Sequence, residues 1–537
     1  MTRRFQSRFN VDDFATVHRR HLLKGLGASA LVTTAGGLFT GAAWAAPVFS
    51  AYPFALGVAS GDPAPDGFVL WTKIAPRPLE DGGGMPKKMV EVEWTVAADE
   101  RMRQVVQRGK AMAHPELGHA VHVEVGGLEP SREYFYQFTI GSERSRVGRA
   151  KTLPAAGANL AQVRFAAAGC QKYEDGYFTA FKRLAEERFD FVYHYGDYIY
   201  EYCTIRPGER ALPIVRVMPG EPDEIYTLSD YRNRYAIYKS DPDLQEAHAS
   251  APFLMSYDDH EVDNNWAGDT SEENTPPELF RLRRVAAFQA WYEHMPVRRA
   301  LMPRGPDILA YRRIGVGDLL NVNVLDTRQY RSDQPCGDGI KANCQEALET
   351  NRTILGEAQE RWLYEGFKDN RARWSVLAQQ IIVMRNDRDP DPKVLGPSMD
   401  KWDGAVAARD RLLAAVEGAN LRNLVVLTGD IHNNWAGELK KNFDDEKSPT
   451  LGAEFVATSI TSGGDGYDTN DSSKALLSQD PHIKFFNNQR GYVRHVVTPE
   501  RWQADFQVMD KVSAPDGRVA TRRSFVVENG RGGLADA

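Results

Sequence analysis

Three short runs of this 537-residue chain concentrate side chains able to hold metal ions: Gly196-Asp197-Tyr198-Ile199-Tyr200-Glu201, Tyr257-Asp258-Asp259-His260-Glu261 and Gly429-Asp430-Ile431-His432-Asn433. A fourth, Gly169-Cys170, adds a thiol. Each follows an apolar, strand-like run: Val163–Ala167 before Cys170, Phe189–Tyr193 before Asp197, Phe253–Met255 before Asp258, and Leu424–Leu427 before Asp430. One Asp behind a strand is ordinarily a helix cap or a turn former. Four such ends, three with a carboxylate and two with a histidine beside it, are better explained by a shared metal site. Ligands of open α/β sheets gather at the carboxyl ends of strands.

Two cations held close together need a shared oxygen donor, and Asp197 is the natural bridge because Gly196 lets the backbone approach closely. Tyr200, three residues on, reaches the same ion. A thiolate or tyrosinate ligand favours a trivalent ion such as Fe³⁺ over Mg²⁺. Such cations lower the pKa of bound water and neutralise a phosphate. The chemistry is therefore hydrolysis of a phosphate ester by metal-activated hydroxide, with no covalent enzyme intermediate. No Gly-x-Ser-x-Gly nucleophile elbow offers a rival. His260 faces the substrate rather than the metal in this reading, where it either stabilises developing charge or protonates the leaving oxygen. Cys170 alone would be a small buried hydrophobe; the other three strand ends make it a candidate ligand. Asn264 and Asn265 either form a turn or contact phosphate. Asp326 and Arg328 are expected to form a structural ion pair, and His194 and Tyr195 to pack in the core.

The elements that must position these residues are legible in the periodicity. From Val163, apolar runs, including Leu319–Leu325 and Val376–Leu377, alternate with amphipathic stretches at Tyr177–Glu187, Glu278–His294, Glu357–Asn370 and Ala405–Val416. That alternation predicts a layered α/β domain over about 160–515. Residues 202–248, rich in proline and tyrosine, are expected as a lid-like insertion, and 516–537 as a C-terminal tail. Residues 50–155 read as short strands, mostly alternating, of a small all-β domain of fibronectin type. Leu128-Glu129-Pro130 and Tyr134 form its corner, and 154–158 its linker.

Before it, Arg19-Arg20 precede a mildly apolar stretch that ends at Ala43-Trp44-Ala45. This pattern over 1–45 resembles a twin-arginine export signal, which predicts a periplasmic or secreted protein handled by the twin-arginine export machinery. The formal net charge is −7, and the first 45 residues are basic, so the remainder stands at −11. Broad nucleic-acid binding relies on clustered cations and is not expected. No segment is apolar enough to predict a lasting membrane anchor. Cys336 and Cys344 lie in a Gly/Asp/Asn-rich loop and can pair in an oxidising compartment.

Gly196-Asp197-x-x-Tyr200, Asp258-Asp259-His260-Glu261 and Gly429-Asp430-x-His432 are similar to the signatures of calcineurin-like metallophosphoesterases. The longer strings 196–202, 258–266, Leu325-Asp326-Thr327-Arg328-Gln329-Tyr330-Arg331 and 429–432 resemble the alkaline phosphatase D (PhoD-like) family, and 54–63 resembles its N-terminal domain. The resemblance covers roughly 50–510. It implies a metallophosphoesterase sandwich with alkaline phosphatase or phosphodiesterase activity. It also implies Fe³⁺ on Cys170, Asp197, Tyr200 and His432, with Ca²⁺ on Asp197, Asp259 and Asp430. Cys170 stands where most metallophosphoesterases carry an Asp-x-His pair. Gln379 and Gln380 stand near the place of a further histidine. Trp402-Asp403-Gly404 matches the family, whereas Ala405 and Ala408 replace an expected aromatic and Glu. The rival readings are a phospholipase D-type phosphodiesterase and, from another class, a non-catalytic calcium-binding surface module.

Overall fold

The computed structural model describes residues 49, 51–203, 213–220, 223–389, 391 and 393–537. The expected export signal lies outside the described residues. The first eight strands are β1 (Val58–Ala64), β2 (Gly67–Lys73), β3 (Val90–Ala97), β4 (Val105–Ala113), β5 (Ala120–Val125), β6 (Glu133–Ile140), β7 (Glu143–Arg144) and β8 (Gly148–Lys151). They form two packed layers. One runs β4-β3-β6-β7 with β8 on β6, the other contains β1, β2 and β5, and alternating residues such as Val92, Val96, Tyr136 and Phe138 fill the space between. The hydroxyl of Tyr134 accepts the N–H of Glu129 at 3.0 Å, so a tyrosine does lock the corner at Leu128–Pro130. The module is not a detached bead, however. β1 pairs in parallel with a strand of the larger domain, Ser60 opposite Pro252, so one sheet crosses the boundary.

The larger domain adds β9 (Val163–Ala168), β10 (Phe191–His194), β11 (Pro252–Met255), β12 (Arg312–Val316), β13 (Leu320–Val324), β14 (Trp374–Ala378) and β15 (Leu424–Thr428). There follow β16 (Asn434–Lys440), β17 (Thr450–Val456), β18 (Ile483–Asn487), β19 (Gly491–Val497), β20 (Arg501–Met509), β21 (Val519–Glu528) and β22 (Leu534–Asp536). Two large sheets result. One has the order β22-β21-β20-β19-β9-β10-β11-β1-β2-β5, the other β12-β13-β14-β15-β17-β16-β18. They face each other across a shared core that includes Phe165, Phe191 and Trp502 from the first and Val322, Val376 and Val425 from the second. β9, β10 and β11 are mutually parallel, as are β13, β14 and β15. Buried throughout or nearly so, these strands read as continuous apolar runs rather than alternating ones, as strands covered on both faces do. Helices α1 (Thr179–Ala185), α2 (Leu228–Lys239), α3 (Pro242–Ser250) and α4 (Pro277–His294) supply much of a second core around the first sheet. α5 (Gly356–Lys368) and α6 (Val406–Gly418) cover the second sheet, and α7 (Asp471–Gln479) packs against β18. The layered α/β architecture behind a small all-β domain is therefore observed.

Two expected boundaries are corrected. The segment 202–248 is not a lid throughout. α2 starts at a reciprocal Thr227/Asp230 cap, α3 starts at Asp241 with Pro242 in its first turn, and Tyr231, Tyr235, Tyr238 and Leu244 lie fully buried in the core. Tyr231, Tyr235 and Tyr238 are core aromatics. The end of the chain is no loose tail either. β21 pairs with β20 along its length, and Phe525 and Val527 enter the core between the sheets. The charged run Arg522-Arg523 masked that strand, because its first half is exposed.

Candidate functional site

The carboxyl ends of β9, β10, β11 and β15 converge, and close glycine approaches make this possible. A Cβ on Gly196 would lie 2.4 Å from the backbone nitrogen of Asp258, so only glycine lets the loop after β10 press against the loop after β11. The ring of Tyr195 fills the space a side chain on Gly169 or Gly429 would need, and its hydroxyl bonds to the carbonyl of Thr458. Tyr195 is thus the wedge around which the loops after β9 and β15 are set, in keeping with its expected core role. His194 is fully buried and bonded to Gln171 at 2.8 Å, also a packing role. Cys170, Asp197, Asn265, Asp430 and His432 all have φ between 50° and 70°. Left-handed backbone costs an ordinary residue on the order of 1–2 kcal/mol, and strain of this kind gathers where function over-determines the geometry.

Cys170, Asp197, Tyr200 and His432 come together. The thiol of Cys170 lies 3.2 Å from Asp197 Oδ2, the Tyr200 hydroxyl is 3.1 Å from the same oxygen, and His432 Nε2 is 3.0 Å from the Tyr200 oxygen. Asp259 and His260 also lie beside Asp197, with the His260 ring 4.1 Å from that of Tyr200, centroid to centroid. The candidate ligand atoms form three groups, Cys170/Asp197/His432, Asp197/Asp259/His260 and Asp258/Asp259/Asp430, each with its atoms within 4.8 Å of one another. Asp197 and Asp259 are each shared by two groups. The buried Oδ1 of Asp197 has no hydrogen-bond partner, and that of Asp259 has no hydrogen bond and only the Arg328 guanidinium, 3.5 Å away, as an ion-pair partner. Orphaned buried carboxylate oxygens are costly unless a cation completes them, so the donor set fits a metal centre. Among the four candidates around Cys170, a soft thiolate, a phenolate, an imidazole and a carboxylate suit a transition-metal ion; the oxygen-only set at Asp259 and Asp430 suits a hard cation.

Electrostatics point the same way. Burial pushes the Cys170 thiol and the Tyr200 phenol well up, and the charge of Asp197 pushes both further. Only a cation among them would make thiolate and phenolate the stable forms. Burial also raises Asp258 and Asp430, whereas at Asp259 burial is outweighed by the charges of Arg328 and His260 together with the Asn265 N–H, which hold the carboxyl at about 2. Burial would lower His260, yet the carboxylates of Glu201, Asp259 and Asp197 outweigh it and lift the imidazole to about 10. Glu201 Oε2 binds His260 Nδ1 at 2.7 Å, which commits that nitrogen and leaves Nε2 as the ring's other polar atom.

Asn265 and Asn264 are placed less simply. The backbone N–H of Asn265 reaches Asp259 Oδ2 at 2.8 Å and its amide reaches Asp338 Oδ2 at 2.7 Å, so it lines the site from the 334–338 loop side. Asn264 gives its backbone N–H to Glu201 and its amide to Glu272, both at 2.7 Å, and so braces the loop that carries His260. The expected Asp326–Arg328 pair does not form. Asp326 takes the Tyr257 hydroxyl at 2.5 Å, while the fully buried Arg328 turns into the site, with Nε on Asp258 at 2.6 Å and an NH on Asp400 at 2.8 Å. Its other NH lies 3.4 Å from Asp430 and 3.5 Å from Asp259. Lys401 pairs with Asp430 and, at 2.9 Å, with Asp400. Gln379 and Gln380 are no ligands. Gln380 cross-links Thr327, Ser256 and Leu325, and Gln379 bonds to Thr428.

The sequence reading missed the positioning layer: Glu201, Arg328, Asp400, Lys401 and Glu261, whose carboxylate takes the backbone N–H groups of Asp197, Tyr198 and Asp258 at 2.7–3.0 Å. Glu201 and Glu261 carried a signal as acidic residues inside the ligand runs, and Arg328 carried one through the family-like string 325–331. Cys336 and Cys344 are joined as a disulfide. Among the described residues no helix is long and apolar enough to cross a membrane.

The comparisons agree with this geometry. Residues 165–506 match the model of the PhoD-like phosphatase family, and residues 41–154 match that of the PhoD-like phosphatase N-terminal domain. The chain is 50% identical over 490 residues to alkaline phosphatase D of Bacillus subtilis (strain 168), spanning 91% of this chain and 83% of that protein. A solved structure described as that of PhoD superposes with a TM-score of 0.88 at 50% identity, over 92% of this chain and 93% of the other. Converging ligand loops, the paired domains and half the residues in common lead to one conclusion: the chain belongs to the PhoD-like phosphatase family.

Proposed function

We propose that this protein is an exported phosphoric ester hydrolase, an alkaline phosphatase or phosphodiesterase that works with two bound cations. The observation that carries the reading is the bridging position of Asp197, shared by two ligand groups and left with a buried, unpartnered Oδ1. In this reading Cys170, Asp197, Tyr200 and His432 hold Fe³⁺, and Asp197, Asp259 and Asp430 hold Ca²⁺. Bound there, the cations supply an activated water and neutralise the phosphate. The chain's own part is to hold that phosphate beside His260. Its imidazolium, charged through Glu201, gives a proton to the leaving oxygen. Asn265 lines the rim where the ester group would lie. The substrate class rests on family membership and on the relative's name, alkaline phosphatase D. Export rests on the twin-arginine pattern at Arg19-Arg20, and places the working enzyme in the periplasm or outside the cell.

The test is metal analysis of the purified protein beside a panel of phosphate monoesters and diesters, with and without a chelator. Iron and calcium near one each per chain, and hydrolysis abolished by chelation, are the expected result. A metal-free protein with undiminished hydrolysis would overturn the reading. The ratio of monoester to diester rates separates a phosphatase from a phospholipase D-type phosphodiesterase, and no hydrolysis with calcium bound would favour a surface module.

A further inference from the structure

Behind Tyr200 lies a loop that the reaction as described does not use. Ser459, Thr461 and Ser462 are fully buried, and the loop bonds to the one carrying Cys170 through Ile460 N–H to Gly169 O at 2.9 Å. The Ser462 hydroxyl lies 2.7 Å from the Tyr200 phenol oxygen and 2.8 Å from the carbonyl of Cys170, while it accepts the Lys172 N–H at 3.0 Å. Ser462 therefore touches both candidate ligands of one ion without being a ligand itself. Its place is held by Arg490, which donates to Ser459 Oγ at 2.7 Å and to the Ser462 carbonyl, while Ser459 Oγ donates to the same carbonyl at 2.5 Å. Arg490 is 1% exposed, and the acceptors it bonds to, these two and the Asn488 carbonyl, are all neutral. The carboxylate of Asp175, which takes the Gly463 N–H at 2.8 Å, is the leading charge that favours this buried guanidinium, and an anionic ligand set beside Ser462 would add to it.

The hydroxyl has one hydrogen and two acceptors in reach. A Tyr200 phenol is itself a donor, toward Asp197 or His432, and leaves the Ser462 hydrogen to the Cys170 carbonyl. A ligating phenolate has no hydrogen and accepts only. We propose that Ser462, braced by Arg490, is a positioning residue that donates its hydrogen to the Tyr200 phenolate when iron is bound, and so sets the donor strength of that ligand. This rests on the iron reading above. A hydrogen bond to a phenolate lowers the energy of its lone pairs. Removing it brings them closer to the acceptor d orbitals of the metal, so the phenolate-to-iron absorption moves to longer wavelength.

The experiment uses the full-length, iron-loaded protein and compares visible spectrum and iron content in the parent, Ser462→Ala, Thr461→Val and Tyr200→Phe. Thr461 shares the loop but spends its hydroxyl on the Lys172 carbonyl, so it is the control. Ser462→Ala is expected to keep its iron and shift the band to longer wavelength. Arg490→Lys, which keeps the charge but loses the fork onto Ser459 and Ser462, should shift it the same way by less. Thr461→Val should leave it in place, and Tyr200→Phe should abolish it. A vibrational measurement on the unmodified protein guards against misfolded variants: exchange into D₂O should displace the phenolate C–O stretch. An iron-loaded Ser462→Ala protein with the parent's band, or a parent whose stretch ignores D₂O, would overturn the role of Ser462 while leaving the iron site standing. A parent without the band, or a band that survives Tyr200→Phe, would overturn the iron reading instead, and the Ser462 proposal with it.

Discussion

Arg328→Met is a demanding perturbation of this site that replaces no candidate ligand. The methionine keeps much of the side chain's length and apolar stem and removes the guanidinium. Arg328 is fully buried and reaches Asp258 at 2.6 Å and Asp400 at 2.8 Å, with Asp430 and Asp259 at 3.4 and 3.5 Å. Two short charge-assisted hydrogen bonds at about 1.5–3 kcal/mol each give roughly 3–6 kcal/mol. The cost of stripping one partner from a buried ion pair, about 3–5 kcal/mol, falls in the same range. The loss should be felt most in the chelated protein, where Lys401, on Asp400 and Asp430, and Arg331, on Asp400, are left to compensate the four carboxylates. With cations bound at Asp259 and Asp430 it should shrink, because the ions replace part of the lost charge. The assay is urea unfolding of parent and variant at neutral pH, once with chelator and once with saturating iron and calcium. A loss under about 1 kcal/mol in the chelated protein, with an unchanged slope, would refute the claim that Arg328 holds these carboxylates together. So would an equal loss in both conditions.

Asp197→Ala should release both metals and nearly all activity together, as metal content and rate measured on one sample will tell; retention of either ion would show that Asp197 is not the bridge. His260→Ala should keep the metals and lower turnover by roughly 10²–10⁴-fold, the usual range for a positioned acid. Glu201→Gln should move the alkaline limb of the pH–rate profile to lower pH, because His260 loses the carboxylate that most favours its protonated form, and metal loss in the His260 variant would make that residue a ligand. Glu454, fully buried outside the site, is lifted by burial to about 7. An unfolded glutamate titrates near 4.5, so the folded state holds its proton longer and stability falls as pH rises from about 4.5 through 7. The full cost is about 3 kcal/mol, and Glu454→Gln should flatten the stability profile across that window. Exchanging Arg19 and Arg20 for Lys together should leave activity inside the cytoplasm when cell fractions are assayed, and undiminished export would remove the twin-arginine reading.

Much of the metal-binding chemistry was written locally. Asp197 and Tyr200 share one run, Asp258, Asp259 and His260 another, and Asp430 and His432 a third, each behind an apolar stretch long enough for one strand. Such runs are visible because ligand residues cluster where a strand ends. The layered α/β architecture was visible for the same reason, since strands buried on both faces read as unbroken apolar segments. The charge-balancing and positioning shell was not visible. Arg328 follows Asp326 by two residues and looked like its partner, yet the chain turns it away toward Asp258 and Asp400, some seventy positions distant in either direction. Ser462 and Arg490 carry no motif, and they matter through contacts of 262 and 28 residues' separation. Sequence alone thus determined which side chains are candidates to hold metal and on which strand ends they stand, because periodicity and residue chemistry are local properties. Only the tertiary structure decided which cation neutralises which carboxylate, which serine faces the tyrosine, that the N-terminal module shares a sheet with the larger domain, and that the last strands close its edge, because burial and hydrogen-bond pairing depend on what the rest of the chain brings into contact.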